Sequence, residues 1–508
     1  MTRGDLLYSG KDWDFETIQR IHDAIERIAG GELGLDTFAN QIEIITAEQM
    51  LDAYASTGMP LFYKHWSFGK RFAQHEGVYR MGLQGLAYEI VINSNPCISY
   101  IMEENSATMQ TLVIAHAAFG HNHFFKNNYQ FRQWTDPDGI LDYLSFAKSY
   151  IANCEERYGH AEVERLLDAA HALMPQGIDR YPRKRPLNLH MEEKREQDRK
   201  DERERLYDDL WRTVPGRVRG AKQMASDKRR ALLGLPQENI LYFLEKAAPR
   251  LKPWQREVLR IVRLIAQYFY PQQQTKVMNE GCATYVHYRI LNRLHETNQI
   301  GDGSFLEFLQ SHTNATRQPF YDSPSYGGIN PYALGFDMMR DIARIVREPT
   351  EEDRAWFPEI AGVGDEMNVL RHIWANYRDD SFIAQFLSPR LIRNWRLFHI
   401  VDDAEAPHLE VASIHNERGY RDLRRSLAGQ YEVGGHAPDI QVVDVDLVGN
   451  RKLVLHHRVI DGKLLELGNA SLVLGHLANL WGYEVLLQEI DATSEQVLKE
   501  HMVRPEPG

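Results

Sequence analysis

Three histidines, His116, His121 and His123, fall within VIAHAAFGHNHFFKNNY, residues 113–129. Imidazole nitrogens bind zinc or iron, and carboxylate oxygens complete such sites. The rings sit among Ala, Phe and Gly, the company of a core. Far downstream, MNEGCATYVHY supplies Glu280 and His287 in similarly small, apolar surroundings. Ligands that share one face of a helix lie three, four or seven residues apart. His116 and His123 meet that rule. His116 and His121 are five apart, roughly 140° around an ideal helix. They converge only if the helix widens locally or ends near Gly120, and such π-type widenings are enriched at functional sites. Glu280, Thr284 and His287 share a face of the second helix. Ala117, Ala118, Gly120, Gly281 and Ala283 let two helices approach closely, which serves imidazole convergence and ordinary packing alike. Two readings stand: one metal site split between two helices, or core histidines satisfied by hydrogen bonds.

The elements that must position these residues are mostly helical. Apolar residues recur at helical spacing in DWDFETIQRIHDAIERIAGGELG, which stops at Gly30–Gly31. LAYEIVIN reads as a short strand, and helix returns after MEEN with Ser106 as its N-cap. Residues 1–182 form one helical region. Residues 183–230 form a charged connector, in which EEKREQDRKDERER is charged at every position but Gln197. Helix resumes over 231–402, interrupted by RQPFYDSPSYGGINPYALGF, whose Pro, Gly and Asn forbid a continuous helix. Residues 403–495 read as strands HLEVASI, DIQVVDVDLV, KLVLHHRVI and EVLLQEI, with helices ERGYRDLRRSLAGQY and NASLVLGHLANLWG, the latter capped at Asn469. A hairpin turn falls at Gly449–Asn450. The order βαββαβ is ferredoxin-like. The expected class is α+β: a large helical N-terminal domain and a C-terminal ferredoxin-like module.

The 508 residues exceed one ordinary core and imply two or three domains. A net charge of −12 argues against general nucleic-acid binding, which needs a basic field. The cysteines, Cys97, Cys154 and Cys282, are scattered without a CxxC pair, so neither a disulfide framework nor a thiolate zinc site is expected. The N-terminal run has no apolar segment of a signal peptide. The most apolar helical run, VLRIVRLIAQYFYP, is too short to span a bilayer. A cytoplasmic protein with no membrane span is expected.

Long runs across the chain resemble the SpoVR family, the stage V sporulation protein R group. They include MPLFYKHWSFGKRF, GLAYEIVINSNPCISYIMEEN, IAHAAFGHNHFFKNNYQFRQWTDPDGILDYLSFAK, PWQREVLRIVRLIAQYFYPQQQTKVMNEGCATYVHYRIL, FLQSHTN and GINPYALGFDMMRDI. The resemblance implies a role in forming the spore cortex, a peptidoglycan layer, or in stationary-phase stress. It also implies a PrkA-type serine kinase and a von Willebrand-like domain protein as partners. The family commonly writes NEGWAT where this chain has Cys282, which reads as a packing residue.

HAAFGH and NEGCATY also resemble the HExxxH and EG-x-A helices of some zincin-type peptidases. That resemblance implies a zincin-like core in which His116, His121 and Glu280 bind zinc, with iron as the alternative. His123 and His287 are alternates or orienting partners. The zincin general base follows the first histidine, and here that residue is Ala117, which cannot take a proton. Glu89, Glu103 or Glu104 would have to serve instead. Glu89 leads because a carboxylate in the apolar strand YEIVIN needs a reason, although a buried salt bridge is another. His65 could contact substrate or pack beside Trp66, and Asn330 and Tyr332 could line a cleft or form a turn. The resulting expectation is a metal-dependent amidase or peptidase acting on peptidoglycan, its precursors or a protein. The rivals are a non-catalytic signalling or scaffold protein and a non-haem iron site built on two histidines and one carboxylate.

Overall fold

The computed structural model describes all residues except 1–5, 51–62, 64–88, 181–232, 321–322, 402–409, 414, 433–436, 447–448, 461 and 507–508. His65 and the whole of the charged 183–230 connector lie outside the described residues. Two compact units divide the chain, one of residues 1–149 and 270–433, the other of residues 150–269 and 434–508.

In the first unit, the helix Phe15–Gly31 starts where the Asp14 carboxylate accepts the Thr17 N–H, and it buries Ile18, Ile21, Ile25 and Ile28. Three strands follow, β1 (Asn40–Ile45), β2 (Glu89–Ile92) and β3 (Cys97–Met102). β3 is central, parallel to β1 and antiparallel to β2, so β2 is an edge strand with Glu89 opposite Ile101. The sequence reading predicts β2 but not β1 or β3. CISYIM is buried at nearly every position, so it carries no alternation to distinguish it from helix.

Ser106 caps the next helix by accepting the Met109 N–H, as predicted. That helix runs as α over Ala107–Ile114, as π over Ala115–His121, and as α again over Asn122–Asn127. It packs on the long helix Lys276–Glu296, which packs in turn on Pro331–Arg347. The Asp379 carboxylate holds the start of Lys276–Glu296 by accepting the Val277 and Met278 N–H groups, both at 2.8 Å. These helices share one apolar core with Phe124, Phe131, Phe308 and Trp374 at its centre.

β4 (His399–Val401) and β5 (Glu410–Ser413) pair antiparallel, and the helix Glu417–Tyr431 packs on Asp379–Phe386. Both β5 and Glu417–Tyr431 were expected in the C-terminal module; they belong to the first unit instead. Local pattern specifies strand or helix, but not the partner that covers it.

The second unit carries a four-stranded sheet, β6 (Asp439–Val445), β7 (Leu453–Val459), β8 (Val485–Asp491) and β9 (Val497–Val503), in that spatial order. Its central pair is parallel and its outer pairs antiparallel, the pattern of directions in a ferredoxin-like sheet. The thread is ββαββ, with Leu467–Trp481 as the crossover. That helix is capped by Glu466, not Asn469, whose N–H is one of two that Glu466 accepts. The α+β class holds: a mainly helical N-terminal region and a C-terminal sheet. Cys97, Cys154 and Cys282 are free and buried. Among the described residues, no helix is long and apolar enough to cross a membrane.

Candidate metal centre

The π turn resolves the angular problem posed by His116 and His121. A turn closed by i→i+5 bonds returns the sixth residue to nearly the same side, whereas an α turn would not. The two rings lie edge to face with centroids 4.6 Å apart. His116 Nε2 is 3.7 Å from Glu280 Oε2, and His121 Nε2 is 3.6 Å from the same oxygen. From β2, Glu89 Oε1 reaches within 3.4 Å of His116 Nε2. Donor atoms of Glu89, His116 and His121 all lie within 4.8 Å of one another.

These separations are long for N–H···O hydrogen bonds, which centre near 2.9–3.0 Å. They match a different spacing. Donors about 2.0–2.1 Å from a tetrahedral ion sit about 3.3 Å from one another. Glu280 Oε2 is buried and accepts no hydrogen bond. An orphaned carboxylate oxygen facing two imidazole nitrogens is costly unless a cation completes it. The donor set, two nitrogens and two carboxylates, is one that zinc or iron accepts.

Ring partners fix which nitrogens face the centre. His121 Nδ1 is 2.9 Å from Asn279 Oδ1, an acceptor, so Nδ1 carries the hydrogen and Nε2 keeps its lone pair. His116 Nδ1 is 2.9 Å from His287 Nδ1, and His287 Nε2 is 2.9 Å from His312 Nδ1. If His116 Nε2 is a ligand, one assignment satisfies the row: each ring donates outward, from His116 to His287 to His312. Second partners of this kind are what metal-bound imidazoles require. Tyr332 stacks on His116 with centroids 6.2 Å apart, and it hydrogen-bonds the Glu280 carboxylate.

Small residues make this convergence sterically feasible. A Cβ on Gly120 would lie 2.5 Å from Ala283 Cα, so the π turn and the Glu280 helix touch backbone to backbone. One residue before Cys282, a Cβ on Gly281 would lie 2.6 Å from Gly335 backbone, which draws in the helix carrying Tyr332. Cys282 is fully buried, its Sγ 3.9 Å from the Gly120 carbonyl oxygen. It packs, as expected, and burial pushes its thiol well above the usual range.

The electrostatics follow from burial and proximity. Burial raises the Glu89 pKa; His116 opposes that shift and Glu280 adds to it. Burial also works against a charged His116, but Glu89 and Glu280 outweigh it and raise its pKa. Glu280 is likewise opposed by burial, yet His121, His116 and Tyr332 lower its pKa. Burial lowers His121 and His312 to about 4, and holds His287 well below the usual range.

Of the residues singled out from the sequence, the structure gathers Glu89, His116, His121, Glu280, His287 and Tyr332. It leaves others elsewhere. His123 turns away: its Nδ1 accepts the Asp36 N–H at 3.0 Å, and its ring packs on Trp374. Seven residues share an α face, but the intervening π turn displaces that register. Glu104 is exposed and accepts the Ala47 N–H at 3.3 Å. Asn330 caps its helix through the Tyr332 N–H and donates to Ala315 and Arg317 carbonyls, so it forms the turn. Sequence reasoning missed Asn279 and His312. Asn279 is adjacent to Glu280, and FLQSHTN was visible as an unusual run, but nothing in spacing tied His312 to His287.

Comparison with known proteins covers the same segments. Residues 12–436 match the family model "SpoVR like protein", and residues 438–492 match "SpoVR-like C-terminal domain". The chain is 52% identical over 483 residues to "Uncharacterized protein YcgB" of Escherichia coli (strain K12), covering 95% of this chain and 94% of that one. No solved structure matches. With both histidine-bearing helices and the Glu89 strand inside the matched region, the chain belongs to the SpoVR family.

Proposed function

We propose that this chain is a metal-dependent hydrolase of amide bonds, with His116, His121 and Glu280 holding the ion. The observation that carries the reading is the spacing of 3.4–3.7 Å among two Nε2 atoms and two carboxylate oxygens around a buried, unsatisfied Glu280 Oε2. A divalent ion there would supply Lewis-acid polarisation of a carbonyl and activation of water.

The chain's own groups divide the remaining work. Asn279 and His287 hold the two imidazoles in the tautomer that presents Nε2 inward. Tyr332 fixes the Glu280 carboxylate. Glu89 supplies the general base that Ala117 cannot, and it does so from a strand beside the helix pair. A zincin-like division of labour is thereby kept with the base relocated. The family resemblance to proteins of cortex formation directs the substrate search to peptidoglycan peptides and their cytoplasmic precursors.

The test is hydrolysis of such peptides by metal-loaded protein beside Glu89→Gln. Cleavage by the wild type, lost in Glu89→Gln at unchanged metal content, supports the reading. Equal cleavage by both removes Glu89 as the base. Ala117 favours a second reading, in which the ion only braces the helices of a signalling protein that works with a serine kinase. Bound metal without hydrolysis of any peptide tested would favour it.

A further inference from the structure

A cleft of about 1000 Å³ opens between the helices Glu351–Trp356, Asp379–Phe386 and Glu417–Tyr431, at residues separate from the histidine centre. Arg424 lines it and is only 9% exposed. Its guanidinium lies over Trp356 at 4.5 Å and Phe357 at 5.1 Å from the ring centroids. Its Nε donates to the Leu387 carbonyl oxygen. Its Nη2 is buried with no hydrogen-bond partner.

Of the acidic side chains lining the cleft, Glu352, Asp380 and Glu417 are held in ion pairs, and Glu432 is exposed to solvent. Glu352 forms a two-point pair with Arg393, Asp380 with Arg378, and Glu417 pairs with Arg421. Arg425 pairs with Asp422. Among the described residues, Arg424 forms no ion pair, although it is the most buried cation in the cleft. A buried charge without a partner is strongly unfavourable. Stacking on two aromatic faces offsets part of that cost, and it also holds the guanidinium plane fixed. A fixed planar fork with free donors is the arrangement that recognises an oxyanion at two points.

We infer that this cleft is a binding site for a small ligand bearing an oxyanion, a carboxylate or a phosphate, with Arg424 as its anchor. The cleft is large enough for a ligand well beyond the anion itself. The charged side chains of both signs on its walls suit a polar ligand. Burial, with Arg421 nearby, lowers the Arg424 pKa to about 10, which leaves it charged at neutral pH and in need of a counter-ion.

The experiment is calorimetric titration of the full chain with inorganic phosphate and, separately, with glutarate, at constant ionic strength set by chloride. The expected result is saturable one-site binding of at least one probe. It should weaken at least tenfold in Arg424→Met and stay within twofold in Arg425→Met. Whichever probe binds tells a phosphate-bearing ligand from a carboxylate-bearing one. Ala384→Glu places a negative charge at an exposed position lining the cleft, and should also weaken binding. If Arg424→Met fails to fold by circular dichroism, Ala384→Glu decides. Saturation by neither probe, or wild-type affinity in Arg424→Met or Ala384→Glu, overturns the inference.

Discussion

Gly120→Ala should uncouple the metal centre from the fold. The added Cβ would lie 2.5 Å from Ala283 Cα and 2.9 Å from Ala283 Cβ, where ordinary contact begins at 3.4 Å. The obstacle is backbone, so the two helices must part by about 0.9 Å, the shortfall in that contact. Overpacking of this kind costs about 1–3 kcal/mol. Glu280 lies one turn from Ala283 and moves with it. Its separation from His121 Nε2, now 3.6 Å, would grow by up to about 0.9 Å, the limit reached when the displacement lies along that line. Two ligands with bonds of about 2.0–2.2 Å cannot span more than about 4.4 Å even in line with the ion. Gly120→Ala should therefore lose about 1–3 kcal/mol in urea unfolding, and lose most of its metal as well. Plasma mass spectrometry and denaturant titration on the same preparation read both quantities. Wild-type metal content with unchanged stability would refute the claim that this backbone contact sets the centre.

Three other outcomes follow from the same geometry. Glu89→Gln should retain the ion and lose turnover by about 10²–10⁴-fold, the range for a general base, measured as kcat on a cleavable peptide. His287→Ala leaves the His116 Nδ1–H without its acceptor, and should lower metal affinity by about 10–100-fold in a chelator competition. In the second unit, Glu489 is fully buried and accepts from His457 at 3.1 Å, His501 at 2.7 Å and the Leu465 N–H at 2.8 Å. Despite opposing burial, those bonds lower its pKa from 4.5. A carboxyl with a lowered folded pKa contributes stability that is present above 4.5 and lost as pH falls through and below that value. Glu489→Gln should flatten that acid limb and cost about 1.5–3 kcal/mol at neutral pH, read by urea unfolding across pH.

Much of the candidate site was legible in the sequence because chemistry and spacing both pointed to it. The five-residue separation of His116 and His121 required a helix that either widens locally or ends near Gly120, and the structure takes the first course with a π turn. Small residues marked the close helix contacts, which the Gly120–Ala283 and Gly281–Gly335 approaches now explain. The carboxylate in an apolar strand marked Glu89. What was not legible depends on long-range partners. The π turn that joins His116 to His121 also rotates His123 out of register, which an α count cannot foresee. His312 enters through a hydrogen bond to a residue far away in sequence. At fold level, Glu410–Ser413 and Glu417–Tyr431 were read correctly as strand and helix, yet their neighbours were not, because a strand pattern does not name the strand it pairs with. β9 escaped because VLKEHMV exposes Val497, Leu498 and Met502, so its hydrophobic pattern does not follow a buried face.

The central claim is that a metal ion joins the π turn to the Glu280 helix. Its most direct test is the metal content of tag-free protein purified without chelator, beside His116→Ala, His121→Ala and Glu280→Gln, each checked for folding by circular dichroism. The account predicts about one zinc or iron per wild-type chain, lost in all three folded variants. No metal in the wild type after reconstitution with zinc and with iron(II), or metal retained in all three, would contradict it.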